Sequence, residues 1–189
     1  MKKSGLNLRG ANMGYPIFDE DLDFSNDGNY LSLMEQLYKE FFGVMGRVTV
    51  KRINEIDEQR KGYDVLIELD NGQFFKIEEK RDRYGNTGNI VLELWSDFNH
   101  KLGWLYTAQC DWIAYHFDDT GITNFLPMPA LRKAWNKYEA EWRDTYRILL
   151  RENAGWTTQI ILIPLNVLWE AMHDVMIHNH VLGDGEKWM

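Results

Sequence analysis

The run Lys61-Gly-Tyr-Asp-Val-Leu-Ile-Glu-Leu-Asp-Asn-Gly-Gln-Phe-Phe-Lys-Ile-Glu-Glu-Lys80 constrains the fold more than any other stretch of this chain. Two alternating segments flank Asp70-Asn71-Gly72, and Asn and Gly tolerate the positive φ of a tight hairpin turn. The segment therefore reads as strand, turn, strand. Two registers compete. A two-residue loop, Asn71-Gly72, sets Asp64 against Glu79. A three-residue loop, Asp70-Asn71-Gly72, with Gly72 left-handed as a bulge, sets Asp64 against Glu78. In the second register Val65, Ile67, Leu69, Phe75 and Ile77 share one face, and Asp64, Leu66, Glu68, Phe74, Lys76, Glu78 and Lys80 share the other. The first register mixes charge into the apolar face, which is costly. The three-residue loop is the expected one.

That register brings together groups that carry chemistry. Cross-strand partners have Cβ atoms about 5 Å apart, so the Asp64 and Glu78 carboxylates can share one hard cation. Lys80 follows two residues on, on the same face. Mg²⁺ takes oxygen ligands and commonly keeps water and substrate phosphate in its shell. A water between such a cation and Lys80 would be acidified and aimed at a phosphodiester phosphorus.

Around the hairpin, Asp27-Gly28-Asn29 precedes a helix expected over residues 30–42, ended by Gly43 and Gly46. Glu35 lies on or beside its apolar face. Val48-Thr49-Val50 and Ile53 read as a first strand, 54–61 as a polar loop, and 81–89 as a basic, Gly-containing loop. A strand is expected over 90–95, alternating on Ile90, Leu92 and Leu94. Aromatic, strand-like segments follow over 103–107 and 111–117, with a turn of helix before or between them as the alternative. Residues 131–151 read as one long charged helix, 158–163 as a buried strand stopped by Pro164, and 166–177 as a closing helix. The expected architecture is α/β (α+β): a mixed central sheet flanked by helices, in one domain over 27–189. An irregular arm over 1–26, with acidic residues at 19–23, precedes it.

Composition narrows the class. The chain has 189 residues, 44% hydrophobic and 26% charged, which suits a single folded core. The eight Trp are read as core. A net charge of −8 argues against a protein that coats nucleic acid non-specifically. It is compatible with an enzyme that meets DNA through a basic rim and bound cations. Cys110 is alone, so an intrachain disulfide is excluded and a reducing cytoplasm fits. No apolar run approaches the roughly 20 residues of a membrane span. No apolar stretch follows Met1-Lys2-Lys3, so no signal peptide is expected. His173, His178 and His180 are spaced five and two apart, which does not put them on one helical face for zinc.

Asp64 followed by Glu78-Glu79-Lys80 resembles the signature of the PD-(D/E)XK nuclease superfamily. The approach Gln59-Arg60-Lys61-Gly62-Tyr63-Asp64 is similar to the Gln-x-x-Gly-x-Asp of many members. Thr87-Gly88-Asn89-Ile90-Val91-Leu92-Glu93 resembles a motif of a phage-associated branch. The likeness covers about residues 28–117 and leaves the C-terminal third uncovered. It implies a restriction-endonuclease-like fold, a Mg²⁺-dependent deoxyribonuclease with Mn²⁺ able to substitute, and DNA as partner, with the state, monomer or homodimer, left open. It implies Asp64 and Glu78 as metal ligands with the Glu79 carbonyl as a third, and Lys80 orienting or activating water. Glu35 would be an additional acid, as the first core helix often supplies one, and Glu93 a further metal or water contact. Lys76, Arg81, Arg83 and Asn89 would touch the DNA backbone. One departure stands out: the middle residue of the Glu-x-Lys triplet is usually apolar, and here it is Glu79.

Overall fold

The computed structural model describes residues 27–53 and 62–181, with side chains as far as Ile177. The arm over 1–26, the loop over 54–61 and the side chains of His178 and His180 lie outside the described residues. The chain divides into two compact units, Met1–Leu37 and Tyr38–Met189. The division falls inside the first helix, α1 (Gly28–Phe42). Asp27 opens that helix: its carboxylate accepts the Asn29 N–H at 2.9 Å and its carbonyl the Leu31 N–H at 3.0 Å. Met34, Tyr38 and Phe42 recur every fourth residue and are fully buried, which is the apolar stripe of an amphipathic helix. Glu35 is exposed, one position off that stripe, so it lies beside the buried face and not on it.

In the second unit the remaining helices are α2 (Trp104–Thr107), α3 (Met128–Thr145) and α4 (Leu165–Val181). The strands, in chain order, are β1 (Val48–Arg52), β2 (Val65–Leu69), β3 (Phe74–Asp82), β4 (Asn89–Asp97), β5 (Lys101–Leu102), β6 (Trp112–Phe117), β7 (Ile122–Pro127), β8 (Ile148–Glu152) and β9 (Thr157–Pro164). They form two sheets. The five-stranded sheet runs β1-β2-β3-β6-β7 and is mixed, because β3 and β6 pair in parallel while the other pairs are antiparallel. The four-stranded sheet runs β5-β4-β9-β8 and is antiparallel throughout. The fold of the described residues is thus mixed α/β.

The β2–β3 hairpin has the three-residue register: Val65 pairs with Ile77 and Ile67 with Phe75. Gly72 sits at φ +86, the left-handed turn position that favours glycine, and its N–H closes on the Leu69 carbonyl at 3.0 Å. Val65, Ile67, Leu69 and Ile77 are buried, as the pattern required. Phe75 on that face stacks on Phe42 of α1, with ring centroids 5.2 Å apart. The larger core lies on the other side of the mixed sheet. There Ile113, Tyr115 and Phe117 of β6 join Ile90, Leu92 and Leu94 of β4, Ile161 and Ile163 of β9, and Leu131, Trp135 and Leu168 of the two long helices.

Several expected boundaries move. The helix expected to run to 151 ends at Thr145, and Leu149 instead pairs with Ile160 in β8. The apolar spacing continues smoothly through Ile148-Leu149-Leu150, but a free strand edge at β9 competes for those residues, and pairing overrides helix propensity. Arg81 belongs to β3 and not to a loop, because β6 supplies a partner for it at His116. Trp104–Thr107 is a helical turn, not a strand. β7, with Asn124 and Pro127 in a short edge strand, carries no clear strand signal in its sequence.

Candidate active site

β2 stops at Val65, and the residue just before it, Asp64, is fixed on three sides. Its N–H donates to the Ile77 carbonyl at 2.8 Å, and its carbonyl accepts the Ile53 N–H at 2.9 Å. Its carboxylate oxygen Oδ2 accepts the Glu79 N–H at 2.8 Å. The Glu79 N–H points toward β2, as that of Ile77 does, and would meet the next rung of the ladder if β2 continued. The Asp64 side chain takes that rung's place. Since a strand residue's N–H and C=O point to the same side, the Glu79 carbonyl also faces this open edge. Glu78 lies close enough to Asp64 to act on its carboxyl, and its side chain shares a face with Lys80, whose ammonium contacts Glu78 Oε1 at 2.5 Å. The two are largely buried, with 12% and 29% of their side chains exposed.

The site's electrostatics follow from that burial. Desolvation, reinforced by the Glu78 carboxylate, pushes the Asp64 carboxyl up from 3.8 to about 6, while Lys80 and the Glu79 N–H pull the other way. Burial works against the Lys80 ammonium, but Glu78, Asp64 and Glu93 more than offset it and hold the lysine above its ordinary value. Lys80 is therefore charged at neutral pH. Its ammonium also lies 5.8 Å from the centre of the Trp104 ring. Cys110 borders the cluster, and burial, with Glu78, pushes its thiol up to about 12. A thiol so raised stays protonated and unreactive near neutrality.

Glu79, the departure from the apolar middle position, does not alter the register. It lies on the opposite face of β3, where the Arg52 guanidinium grips its carboxylate through two nitrogens, at 3.0 and 3.2 Å. The Tyr38 hydroxyl donates to the same carboxylate at 2.6 Å.

The other expected residues are dispersed. Glu93, half-buried on β4, accepts the Trp104 N–H at 3.2 Å and lies near enough to act on Lys80. Glu35 belongs to the first unit. Lys76 shares the face of Glu78 and sits 5.1 Å above the Tyr63 ring. Arg81 points to the opposite face and pairs with Asp118, its Nε 2.8 Å from Oδ1. Arg83 is half-buried past the end of β3. Asn89 opens β4, its N–H 3.3 Å from the Thr87 hydroxyl. The basic residues thus do not line one rim.

Two residues that carry no candidate chemistry of their own hold the wall of the site. Arg132 of α3 reaches the end of α2 and donates to the carbonyls of Leu105 at 3.0 Å, Tyr106 at 3.2 Å and Ala108 at 2.5 Å. A single Arg on a charged helix gives no sequence signal for such a clamp. Arg132→Ala is expected to cost about 3 kcal/mol, since three carbonyls, two of them part-buried, lose a charged donor. A urea midpoint within error of the parent's would refute the clamp. Gly62, at φ +78, is the second. A Cβ there would lie 2.8 Å from the Gln109 nitrogen and 2.9 Å from the Ala108 Cα. Gly62→Ala combines a left-handed backbone with a backbone clash and is expected to lose about 3 kcal/mol. Thermal melting checks it, and a loss of less than a third of that would show that the segment relaxes freely.

Chemically, the arrangement offers a hard cation the unengaged oxygens of two carboxylates and one carbonyl. It also offers a charged ammonium beside them. Among the described residues no three His, Cys, Asp or Glu side chains group closely enough to hold a metal by themselves. No helix among them is long and apolar enough to cross a membrane. No family model matches the chain, no curated protein matches it, and no solved structure matches its fold.

Proposed function

We propose that this chain is a metal-dependent nuclease that hydrolyses DNA phosphodiester bonds, built on a restriction-endonuclease-like version of its mixed sheet. The reading rests on one observation above all: Asp64, at the end of the hairpin's paired register, lies close enough to Glu78 and Lys80 to interact with both, and Lys80 sits beside Glu78 on the same face. The donor set fits Mg²⁺, or Mn²⁺ in its place. It is all oxygen, and its net charge with Lys80 is negative. Two carboxylates and a carbonyl leave room for water and a substrate phosphate. When bound, the cation would acidify a water and neutralise charge on the phosphate.

The chain's own residues do the rest. Asp64 and Glu78 would hold the cation, Asp64 through Oδ1 because Oδ2 is taken by the Glu79 N–H. The Glu79 carbonyl completes the set. Lys80, charged at neutral pH, hydrogen-bonds and orients the attacking water and is not itself the base. Trp104 and the segment held by Arg132 wall the site from one side.

A second reading is a nuclease-like fold without catalysis, binding nucleic acid or a partner protein. It is favoured by the lack of a three-side-chain metal group among the described residues and by the net charge of −8. One experiment separates the two. The purified protein is incubated with linear, nicked, branched and single-stranded DNA, with Mg²⁺, Mn²⁺ or EDTA, beside Glu78→Gln. Cutting that needs the cation and disappears in the variant supports the hydrolase. No cutting of any form by a folded protein supports the binding module.

A further inference from the structure

The Asp64 carboxylate can serve the site only if β3 is held at one height and one twist against it, because that carboxylate meets β3 through a single backbone N–H. That N–H belongs to Glu79. β2 reaches only to Val65, opposite Arg52, so among the described residues no strand lies between β1 and β3 beyond that point to fix their spacing. The Glu79 side chain spans this gap on the far face. It meets Arg52, the last residue of β1 and the partner of Val65, and Tyr38 of α1. Ile53, next to Arg52, donates its N–H to the Asp64 carbonyl. The same few residues thus tie β1 to Asp64 and β1 to β3.

We infer that Glu79 is a positioning residue: its carboxylate, clamped by Arg52 and Tyr38, holds the β3 backbone so that the Glu79 N–H orients Asp64 and the Glu79 carbonyl meets the cation. The inference rests on the proposed hydrolase reading and deepens it. The physical reason for a charged clamp is direction. A two-point guanidinium–carboxylate pair fixes distance and plane, whereas apolar packing is non-directional. An apolar residue at this position could fill the space, but it would leave the strand free to rotate about its axis.

The test uses the full chain and Mn²⁺ alone as probe, with affinity read by calorimetry at pH 8. Glu79→Gln keeps the shape and removes the charge. The triple variant Tyr38→Phe, Arg52→Met, Glu79→Leu removes every polar group of the clamp together, so it is expected to melt at or above the parent. Leu168→Val, in the distant core, is a control for lost stability. Glu79→Gln and the triple variant are expected to bind Mn²⁺ about tenfold more weakly, the usual effect of losing a group that orients a ligand. Leu168→Val is expected to bind as the parent does. A purely structural clamp would instead let affinity follow stability, and the triple variant would bind normally. Affinity within twofold of the parent in either clamp variant overturns this inference alone. A parent that binds no Mn²⁺ overturns the hydrolase reading, and the inference with it.

Discussion

Asp64→Asn is expected to melt higher than the parent chain at pH 7.5 while losing both Mn²⁺ binding and DNA cleavage. The parent's Asp64 carboxyl is raised from 3.8 to about 6 by burial and by Glu78. The folded state therefore holds that proton more tightly than the unfolded chain does. Between pH 4 and 6 the folded state binds more protons, so its stability falls as pH rises through that window. Below pH 4 the side chain is protonated in both states and the penalty is absent. Above pH 6 the penalty is complete, and the shift corresponds to about 3 kcal/mol before any relaxation. Asparagine carries no charge and can still accept the Glu79 N–H through its amide oxygen. A net gain of about 2 kcal/mol is expected above pH 6.5, shrinking to none by pH 4. Urea titrations of both chains at several pH values measure it. A variant less stable than the parent at pH 7.5 would mean that Asp64 is a structural capping group. Mn²⁺ titration of the parent supplies the counterpart: affinity falls as pH falls through 6, because the proton competes for Asp64.

Lys80→Ala is expected to lower DNA cleavage about a thousandfold, the scale of losing one preorganised electrostatic group at a reacting centre, while Mn²⁺ binding at pH 8 is kept. The two readouts separate because the ammonium is not a ligand. It pairs with Glu78 and sits against Trp104. Removing it leaves Glu78 and Asp64 without a neighbouring positive charge, which favours a divalent cation there. Proton competition sharpens at the same time, since Lys80 normally pulls the Asp64 carboxyl down. The measurement therefore belongs at pH 8, where Asp64 stays ionised. Calorimetry with Mn²⁺ and a nicking assay on the same preparation read the split. Cleavage within tenfold of the parent would remove Lys80 from the reaction. Loss of Mn²⁺ binding would make it part of the cation's seat.

The hairpin was legible because its information is local. Asn71 and Gly72 specify a turn, and a strand's period of two allows only one register that keeps charge off the face of Val65, Ile67 and Ile77. Asp64, Glu78 and Lys80 came together for that reason. The α1 stripe of Met34, Tyr38 and Phe42 was equally plain, but the orientation of Glu35 was not. One helical position is about 100° of rotation, and apolar spacing alone does not decide on which side of the stripe a neighbour falls.

What the sequence by itself determined is the set of local periods: the first helix, the hairpin and its register, the alternation of β4, and with them the pairing of two carboxylates and a lysine. Tertiary structure alone decided the rest. The parallel pairing of β3 with β6 drew Arg81 into a strand and turned it to the face opposite Lys80. β9 took Leu149 from a helix that its spacing would have continued. Arg132 reached the end of α2, and Arg52 and Tyr38 met Glu79, across chain separations that no local pattern records. The physical reason is common to all of them. A side chain's own neighbours set which face it can occupy. Only the strand or helix brought against that face decides whether its charge is answered or left for a ligand.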